Sequence, residues 1–320
     1  MSGPAHRRVQ TGRRDLSPYG SAGRASSIDA NVNGEAMTTT ILVGVAGGEP
    51  SRVAVRWSMR WAAEAGAEVR LVHVLDDEWA TVGARMLDDL RADALHLVET
   101  EADYARSLAP EVAVRSQLLE GSLMWELIAA SEGADLTAVG THKTGFIHGK
   151  VFGSRSLQLA AAAHSHVAII PQASGREGHG VVVGVDDSAA GVAAVRFAAA
   201  EAHRSGQNLT LLRAWDPPEL PAERRDTKRA WNDELEARTT ALLSAAAATA
   251  VTVDAALDVR LRSVRRPAAE ALLDAAASAT LLVVGSSRRG DRGQAVLGSV
   301  SHDVLLNLVG PTIVVHGDDE

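Results

Sequence analysis

The sequence predicts an α/β protein with two doubly wound, mostly parallel five-stranded sheets in tandem. Apolar, strand-like runs alternate with helix-like segments along most of the chain. The two halves of the chain also repeat one another at an almost constant offset, which indicates a duplicated structural unit. Short connections between alternating strands and helices require right-handed crossovers. These crossovers make the strands parallel and place helices on both faces of each sheet.

The repeat consists of two blocks that occur in the same order in each half. Residues 41–76 match residues 181–216 at an offset of 140, with identities that include Gly44/Gly184, Arg56/Arg196 and Asp76/Asp216. The second block matches at an offset of 145, and its aligned residues are Gly140 with Gly285, Gly153 with Gly298, and Ser154 with Ser299.

The elements of the first copy follow from local patterns. Residues 41–46 form a continuous apolar run, as expected of a strand that is buried on both faces. In residues 51–65, Val53, Trp57 and Trp61 recur at a helical spacing, and the two tryptophans are interpreted as core or inter-copy packing residues. The other predictions are strands at 68–74, 112–118, 135–140 and 167–171, helices at 84–108, 122–132 and 154–164, and a Gly-rich loop at 141–153.

The second copy predicts the same order of elements. Its strands are expected at 181–186, 208–215, 252–262, 280–285 and 311–316, and its helices at 189–204, 222–249, 267–277 and 299–309. The corresponding domains are 37–171 and 181–317, joined by a linker at 172–180. Residues 1–36 lack periodicity and are predicted to be a disordered N-terminal extension. Met37 is interpreted as the natural start of the protein, and a basic regulatory arm is the alternative interpretation of the residues before it.

Composition restricts the possible classes of function. The chain has 320 residues, 46% of them hydrophobic, which is enough for a core in each half. Its net charge of −8 argues against nucleic acid as a partner. The absence of cysteine excludes disulfides, thiolate metal sites and thiol nucleophiles, and it is consistent with a cytoplasmic location. No apolar run is long enough to span a membrane.

The Gly-rich loop after the fourth strand of each copy is the candidate site. A doubly wound sheet binds its ligand at the carboxyl ends of its central strands, where the strand order reverses. In the second copy this loop runs from Gly285 to the start of a helix at Gly298-Ser299-Val300-Ser301. Helix N-termini present unpaired amides that bind phosphate. The alternative is structural: Ser299 caps its helix, and the glycines only permit turns.

Other types of site are not supported by the sequence. It contains no P-loop, no dinucleotide-binding glycine motif and no nucleophile elbow. Four histidines lie close together in sequence but have no evident carboxylate partner, so we predict no metal site. They are His142, His148, His164 and His166.

Each copy resembles the universal stress protein domain, and the resemblance covers about residues 41–316. Nucleotide-binding members of that family carry Gly-x-x-Gly, nine residues, and then Gly-[Ser/Thr], with an Asp at the end of the first strand. In the second copy the matching blocks are VVVGVDDS, LLVVGSSRRG and LGSVSHDVLLNLVGPTIVVH. In the first copy ILVGV, AVGTHKTGF and FGSRSLQLAAAAHSHVAII are similar but more diverged.

The resemblance implies a Rossmann-like fold of the adenine-nucleotide α-hydrolase-like type and a stress-response regulator that binds ATP, with or without Mg²⁺. It implies no defined turnover reaction, although weak ATP hydrolysis is compatible with it. In the second copy the adenosine would lie against Asp186, the backbone of Ala214, and Val284-Gly285. The phosphates would be held by Gly298, Ser299, Val300 and Ser301. The corresponding glycines and serine of the first copy are Gly140, Gly153 and Ser154.

Both copies depart from the family pattern. Lys143 and Arg288 replace the second glycine, and such a side chain either fills the path of the phosphates or contacts them. The first copy also has Ala46 in place of the Asp, and Arg155 after Gly-Ser. We therefore expect nucleotide mainly in the second copy. The alternative function is an interaction scaffold with degenerate sites in both copies.

The last strand of each copy is expected to mediate assembly. In the resembled family, domains pair across this strand, and residues 167–171 and 311–316 are suitably apolar. We expect the two copies to pair within one chain. Dimerisation of two chains is a further arrangement for which the sequence provides no evidence.

Overall fold

The computed structural model describes residues 38–76, 84–142, 145–147, 150–152, 154–172, 178–216, 225–287 and 297–317. The predictions for residues 1–36, Lys143, Gly153 and Arg288 lie outside these ranges. Strands and helices alternate through both halves of the described chain. The predicted α/β class, with its tandem and mostly parallel arrangement, is confirmed.

The first half begins with a buried strand and a helix that packs on it. Pro50 lies in the first turn of this helix, where its missing N–H costs no helical hydrogen bond. Gly66 ends the helix in the left-handed conformation, with φ of 66°. The elements are β1 (Thr40–Gly44), α1 (Glu49–Ala65), β2 (Glu68–Asp76), α2 (Ala84–Leu108), β3 (Val114–Gly121), α3 (Leu123–Ser131), β4 (Leu136–Thr141), β5 (Gly145–Ile147), β6 (Lys150–Phe152), α4 (Ser154–Ala162) and β7 (His166–Pro171).

The second half repeats the order of the longer strands and helices. The end of the predicted linker is hydrogen-bonded to the second half, because His179 donates its backbone N–H to the carbonyl of Ser278 at 2.9 Å. The elements are β8 (Val181–Gly184), α5 (Ala189–Arg204), β9 (Leu209–Ala214), α6 (Arg225–Val253), β10 (Val259–Val264), α7 (Ala268–Ala276), β11 (Leu281–Ser286), α8 (Ser299–Leu306) and β12 (Thr312–His316).

Ten of the described strands form one sheet in the order β10-β9-β8-β11-β12-β7-β4-β1-β2-β3. Within each half all neighbouring strands of this sheet are parallel. The halves meet where β12 lies antiparallel to β7, with Ile313 opposite Ala168. Because the order of the second half mirrors that of the first, an approximate two-fold axis relates the halves at this junction.

Side chains of the central strands alternate between two apolar layers. Ile41 and Val43 of β1 face the layer formed with α1 and α2, whereas Leu42 faces the layer on the opposite side. Val183 and Val182 of β8 divide in the same way. The strands are therefore buried on both faces, which explains the continuous apolar runs in the sequence. Trp57 and Trp61 are buried in the first layer, which continues from one half into the other.

Apart from shifts of a few residues at the ends of elements, two predicted segments differ from the structure in the type of element. The loop predicted at 141–153 contains the antiparallel pair β5–β6. The strand predicted at 252–262 is wrong at its start, because α6 continues to Val253. The Thr252 hydroxyl donates to the Thr249 carbonyl at 2.7 Å, which satisfies it within the last turn of the helix. Asp254 then accepts the N–H of Ala256 at 2.8 Å in a turn, and β10 begins only at Val259.

Candidate functional site

Three strand ends of the second half meet at one edge of the sheet. Strand β8 lies between β9 and β11 and is parallel to both. The chain order reverses on the two sides of β8, which defines the switch point where such sheets bind ligands. Asp186 follows β8, Ala214 ends β9, and Gly285 lies near the end of β11. The structure therefore brings these three predicted residues together.

The Asp186 carboxylate is exposed and organises the loop that leads into α5. Its Oδ1 accepts hydrogen bonds from the Ser188 backbone N–H at 3.0 Å and from the Ser188 hydroxyl at 2.6 Å. Ser188 is the N-cap of α5, and its Oγ accepts the N–H of Gly191 at 3.0 Å. No described residue donates a hydrogen bond to Oδ2 of Asp186. One carboxylate oxygen thus closes the loop, while the other is available to a ligand.

The strand-end glycines have a packing role as well as their predicted binding role. A Cβ at Gly285 would lie 2.5 Å from the carbonyl oxygen of Ala190 in the first turn of α5. At the equivalent position of the first half, a Cβ at Gly140 would lie 1.8 Å from the carbonyl oxygen of Pro50 in α1. In both halves the fourth strand passes so close to the start of a helix that no side chain fits.

Helix α8 begins directly beside this edge. Its N-cap is Gly298, and the described residues provide no side-chain cap. The structural alternative in which Ser299 caps the helix is therefore wrong, since Ser299 is the first helical residue and is exposed. Val300 is also exposed. Ser301 is buried, and its hydroxyl donates to the carbonyl of Gly285 at 2.8 Å, which fixes the helix start against β11.

Cationic and aromatic side chains flank the same edge, and sequence reasoning did not identify them. Arg213 donates through Nη1 to the carbonyl of Val185 at 3.0 Å. The Trp215 indole N–H donates to the Ser263 hydroxyl at 3.1 Å, and the Arg265 guanidinium lies 5.5 Å from the indole ring. Arg213 and Trp215 directly precede and follow Ala214 at the end of a predicted strand. Their place in the sequence is the signal that could have identified them.

Asp187 is the second carboxylate of the loop. It forms an exposed ion pair with Arg238 of α6. The hydrogen bond from this guanidinium lowers the pKa of Asp187 below its ordinary value, and a backbone hydrogen bond adds to the effect. No local sequence signal identifies Arg238, because it lies in the middle of a long helix far along the chain from Asp187.

The equivalent edge of the first half is built differently. The backbone N–H of Ala46 donates to the hydroxyl of Ser51 at 2.9 Å, so a side chain of the helix closes the turn instead of a strand-end carboxylate. Gly47 and Gly48 both have positive φ, at 73° and 81°. His73 replaces Arg213, with its Nδ1 atom 2.8 Å from the carbonyl oxygen of Val45. The two edges are therefore not chemically equivalent.

A carboxylate near the first edge is already paired with a cation. Glu120 of β3 accepts two hydrogen bonds from Arg91 of α2, at 2.8 and 2.7 Å. These hydrogen bonds lower the pKa of Glu120. The described part of the chain contains no group of three His, Cys, Asp or Glu residues that could hold a metal ion.

One cavity among the described residues lies away from the candidate site. Its volume is about 490 Å³, and it lies at the opposite, amino-terminal edge of the second half, beside Gly180, Asn208 and Asp258. His203 and Asp254 form a 2.8 Å ion pair at its rim when the histidine is protonated. Among the described residues, the candidate site is defined by strand ends and a helix start. In the described ranges, no helix is both long and apolar enough to cross a bilayer.

The repeated units of parallel strands and helices, joined in one sheet, and their strand-end loops define a tandem, Rossmann-like α/β protein. The model of the Universal stress protein family matches residues 37–171 and again residues 179–316. The chain is 32% identical over 308 residues to Universal stress protein Rv1996 of Mycobacterium tuberculosis, covering 86% of this chain and 94% of that protein. It is 28% identical over 302 residues to Universal stress protein Rv2623 of the same species, with 86% and 95% covered. This chain belongs to the universal stress protein family.

A solved structure supports the fold assignment. The crystal structure of a universal stress protein from Archaeoglobus fulgidus matches 88% of this chain and 97% of its own, with a TM-score of 0.63. The sequence identity is 18%, so the likeness concerns the fold alone.

Proposed function

We propose that this protein is a stress-response regulator that binds ATP, with or without Mg²⁺, at the carboxyl edge of its second half. The observation that carries the proposal is the placement of the exposed Asp186 carboxylate beside the ends of β9 and β11. Ser301 joins the start of α8 to Gly285 at the same edge, at 2.8 Å. An acceptor for sugar hydroxyls and donors for phosphate are thereby combined in one half.

The individual residues have complementary roles in this proposal. Asp186 holds the ribose through Oδ2, because Oδ1 is engaged by Ser188. The backbone of Ala214 faces the base, and Val284-Gly285 lines the ribose. The amides at Gly298, Ser299 and Val300 receive the phosphates, since the N-terminus of α8 has no side-chain cap among the described residues. Ser301 acts by anchoring this helix to Gly285.

The first half has a supporting role in this proposal. It lacks a carboxylate at the position of Ala46, and Ser51 already occupies the backbone N–H there. Its counterparts of the phosphate-binding residues are Gly140, Lys143, Gly153 and Ser154. We propose that this half serves mainly as a structural partner of the nucleotide-binding half.

Binding without turnover is part of the proposal. The Ser188 hydroxyl contacts Asp186, but it also caps Gly191 and is held as part of the helix start. The Ser301 hydroxyl is buried and donates to a carbonyl. Ser301 is therefore closed to a ligand, and the Ser188 hydroxyl, although exposed, is engaged within the loop both as a donor and as an acceptor.

The proposed assembly is a single chain whose halves pair through β7 and β12, and the proposed location is the cytoplasm. The antiparallel pairing of these two strands supports the intramolecular arrangement. The net charge of −8 supports the absence of a nucleic-acid partner.

Calorimetric titration with ATP, and assay of nucleotide extracted from the purified protein, test this function. We expect one nucleotide per chain, with binding weakened at least about tenfold by Asp186→Ala, which removes a charged acceptor. Ala46→Ser, at the equivalent position of the first half, is the matched control and should leave binding unchanged. No binding at millimolar ATP would refute the proposal and favour the interaction scaffold. Equal losses in the two variants would refute the assignment to the second half.

Arg288→Gly resolves the remaining question about the family motif. A tighter complex means that the arginine fills the path of the phosphates, and a weaker one means that it contacts them.

A further inference from the structure

The two halves meet through positions that are equivalent in the repeat. In the β7–β12 ladder, Ala168 lies opposite Ile313, and these residues correspond to each other at the offset of 145. Val167 lies opposite Val314, and Ile169 opposite Thr312. Because the antiparallel ladder is centred on an equivalent pair, the local two-fold axis passes between Ala168 and Ile313.

Helices α1 and α5 also meet through equivalent positions. The indole N–H of Trp61 donates to Oε2 of Glu201 at 2.8 Å, and these residues correspond at the offset of 140. Glu64 forms an ion pair with Arg204, and this pair corresponds at the same offset. At both positions, each half presents a residue different from the one that it contacts.

Glu201 and Arg204 of this contact are largely removed from solvent, whereas Glu64 lies at its exposed rim. The Glu201 side chain is 7% exposed, and that of Arg204 is 18% exposed. Nη2 of Arg204 lies 2.5 Å from Oε2 of Glu201, and its guanidinium lies 4.8 Å from the Trp61 ring. A carboxylate at this depth requires a cation and hydrogen-bond donors. Trp61 and Arg204 provide them from both sides of the junction.

If two identical halves from different chains paired, these complementary contacts would be lost. Around an isologous two-fold axis, each of these residues faces its own copy. Two second halves would place Glu201 against Glu201 and Arg204 against Arg204, so like charges would be buried together. Two first halves would place Glu64 against Glu64 and leave the Trp61 N–H without the Glu201 acceptor. The strand centre would also change from one small and one large side chain to two of the same size.

We propose that the pairing face of each half fits only the unlike half, so that β7 and β12 close on each other within one chain and exclude a second copy. The proposal extends the intramolecular pairing proposed above and is independent of nucleotide binding. Selectivity of this kind rests on buried groups that are satisfied in one pairing and repelled in the other. The interface therefore selects both the partner and the oligomeric state.

A charge exchange in the full chain tests the proposal. The variants are Arg204→Glu, Glu64→Arg and the double variant that carries both substitutions. Hydrogen exchange is followed at the paired amides of β7 and β12, and light scattering gives the mass. We expect wild type at the single-chain mass of 33.5 kDa. Arg204→Glu should raise the hydrogen-exchange rate of these amides at least about tenfold, because it buries carboxylates together. The double variant should restore most of the protection.

Arg196→Glu is the matched control, since Arg196 lies on the same helix and is exposed. It should leave amide exchange within about twofold of wild type, as expected of an isolated surface charge. If the effects of the two single variants simply add in the double variant, the proposal is wrong. A wild-type dimer that Arg204→Glu converts to the single-chain mass would also overturn it, because two chains would then be associating through this junction.

A second pair of substitutions covers the case in which Arg204→Glu does not fold. Ala168→Ile crowds the strand centre, and Ile313→Ala leaves a gap there, so each should raise amide exchange in β7 and β12. The double variant reverses the small and large partners, and we expect it to recover at least about half of the loss on a logarithmic scale. Failure to recover would contradict the proposed match. ATP titration of the wild type is unaffected by either result, so the two proposals can fail separately.

Discussion

A Cβ atom at Gly191 would lie 2.0 Å from Oδ1 of Asp186. The equivalent residue of the first half is Ser51, whose hydroxyl accepts the backbone N–H of Ala46. The two halves therefore close the same turn in opposite ways. In one, a helix side chain reaches back to the strand end, and in the other a strand-end carboxylate reaches forward to the helix. The carboxylate requires glycine at the helix position, so these two residues are coupled.

Gly191→Ser transfers the residue of the first half into the second. We expect it to displace the Asp186 carboxylate and to lower the free energy of unfolding by about 1–3 kcal/mol, because the new atoms overlap a packed neighbour. Urea denaturation measures the change. Adding Asp186→Ala recreates the arrangement of the first half and should recover part of the loss. Gly298→Ala is the control, since a Cβ there meets no described atom within 4 Å. Equal losses in the two glycine variants would contradict this account.

Ser188→Ala removes the N-cap of α5. The loss of the 3.0 Å hydrogen bond from Gly191 should cost about 1 kcal/mol of stability. Ser122→Ala is a matched control, because Ser122 occupies the N-cap position of α3 without a side-chain cap hydrogen bond. Its effect in the same denaturation assay should stay within a few tenths of a kcal/mol. A larger loss at Ser122 than at Ser188 would show that the local hydrogen bond does not determine these effects.

Gly140→Ala and Gly285→Ala should both destabilise the protein, even without nucleotide. Each new Cβ would overlap a helix carbonyl, at 1.8 Å from Pro50 and 2.5 Å from Ala190, and backbone atoms cannot move aside freely. We expect losses of about 3 kcal/mol or more, with the greater loss at Gly140. Thermal unfolding without nucleotide measures them. Gly310→Ala, whose Cβ would lie 3.7 Å from the nearest described atom, is the tolerated control. Wild-type stability in both test variants would show that these glycines serve binding alone.

The ion pair between Asp187 and Arg238 predicts a specific pH dependence. Its hydrogen bond lowers the folded-state pKa of Asp187 below the ordinary value of 3.8. The pair therefore contributes stability above the ordinary pKa and loses that contribution as the pH falls through the lower folded-state pKa. A carboxyl chemical-shift titration should show the lowered pKa in wild type and a shift towards 3.8 in Arg238→Gln. An unchanged titration in the variant would exclude Arg238 as the cause.

The sequence predicted most of the fold because most segments agree with their surroundings. The helices at 84–108 and 189–204 have the predicted bounds, and the apolar run 181–184 is a strand buried on both faces. The strand predicted at 252–262 failed at its start, where a β-branched stretch continues the last turn of α6. The intrinsic strand preference of β-branched residues is a weak guide to secondary structure where an adjoining helix continues through the segment.

The candidate site was predictable to the extent that topology determines it. Asp186, Ala214 and Gly285 lie at adjacent strand ends because the order of a parallel sheet places them there. The second role of Gly285 depends on contact with Ala190, and the pairing of Asp187 depends on α6. Such contacts join positions that are distant in sequence, and no local pattern encodes them.

The antiparallel junction of β7 and β12 gives the two ends of the sheet different loops. Since the strands of the two halves run in opposite senses, the carboxyl ends of the first half face one end of the sheet and those of the second half face the other. The ends differ in chemistry, with Asp186 at one and Ala46 at the other. A partner that binds at one end therefore contacts only one of the two loops. With nucleotide bound at the second half, as proposed, the duplicated chain would present its ligand at only one end of the sheet, which a symmetric dimer of identical domains could not do.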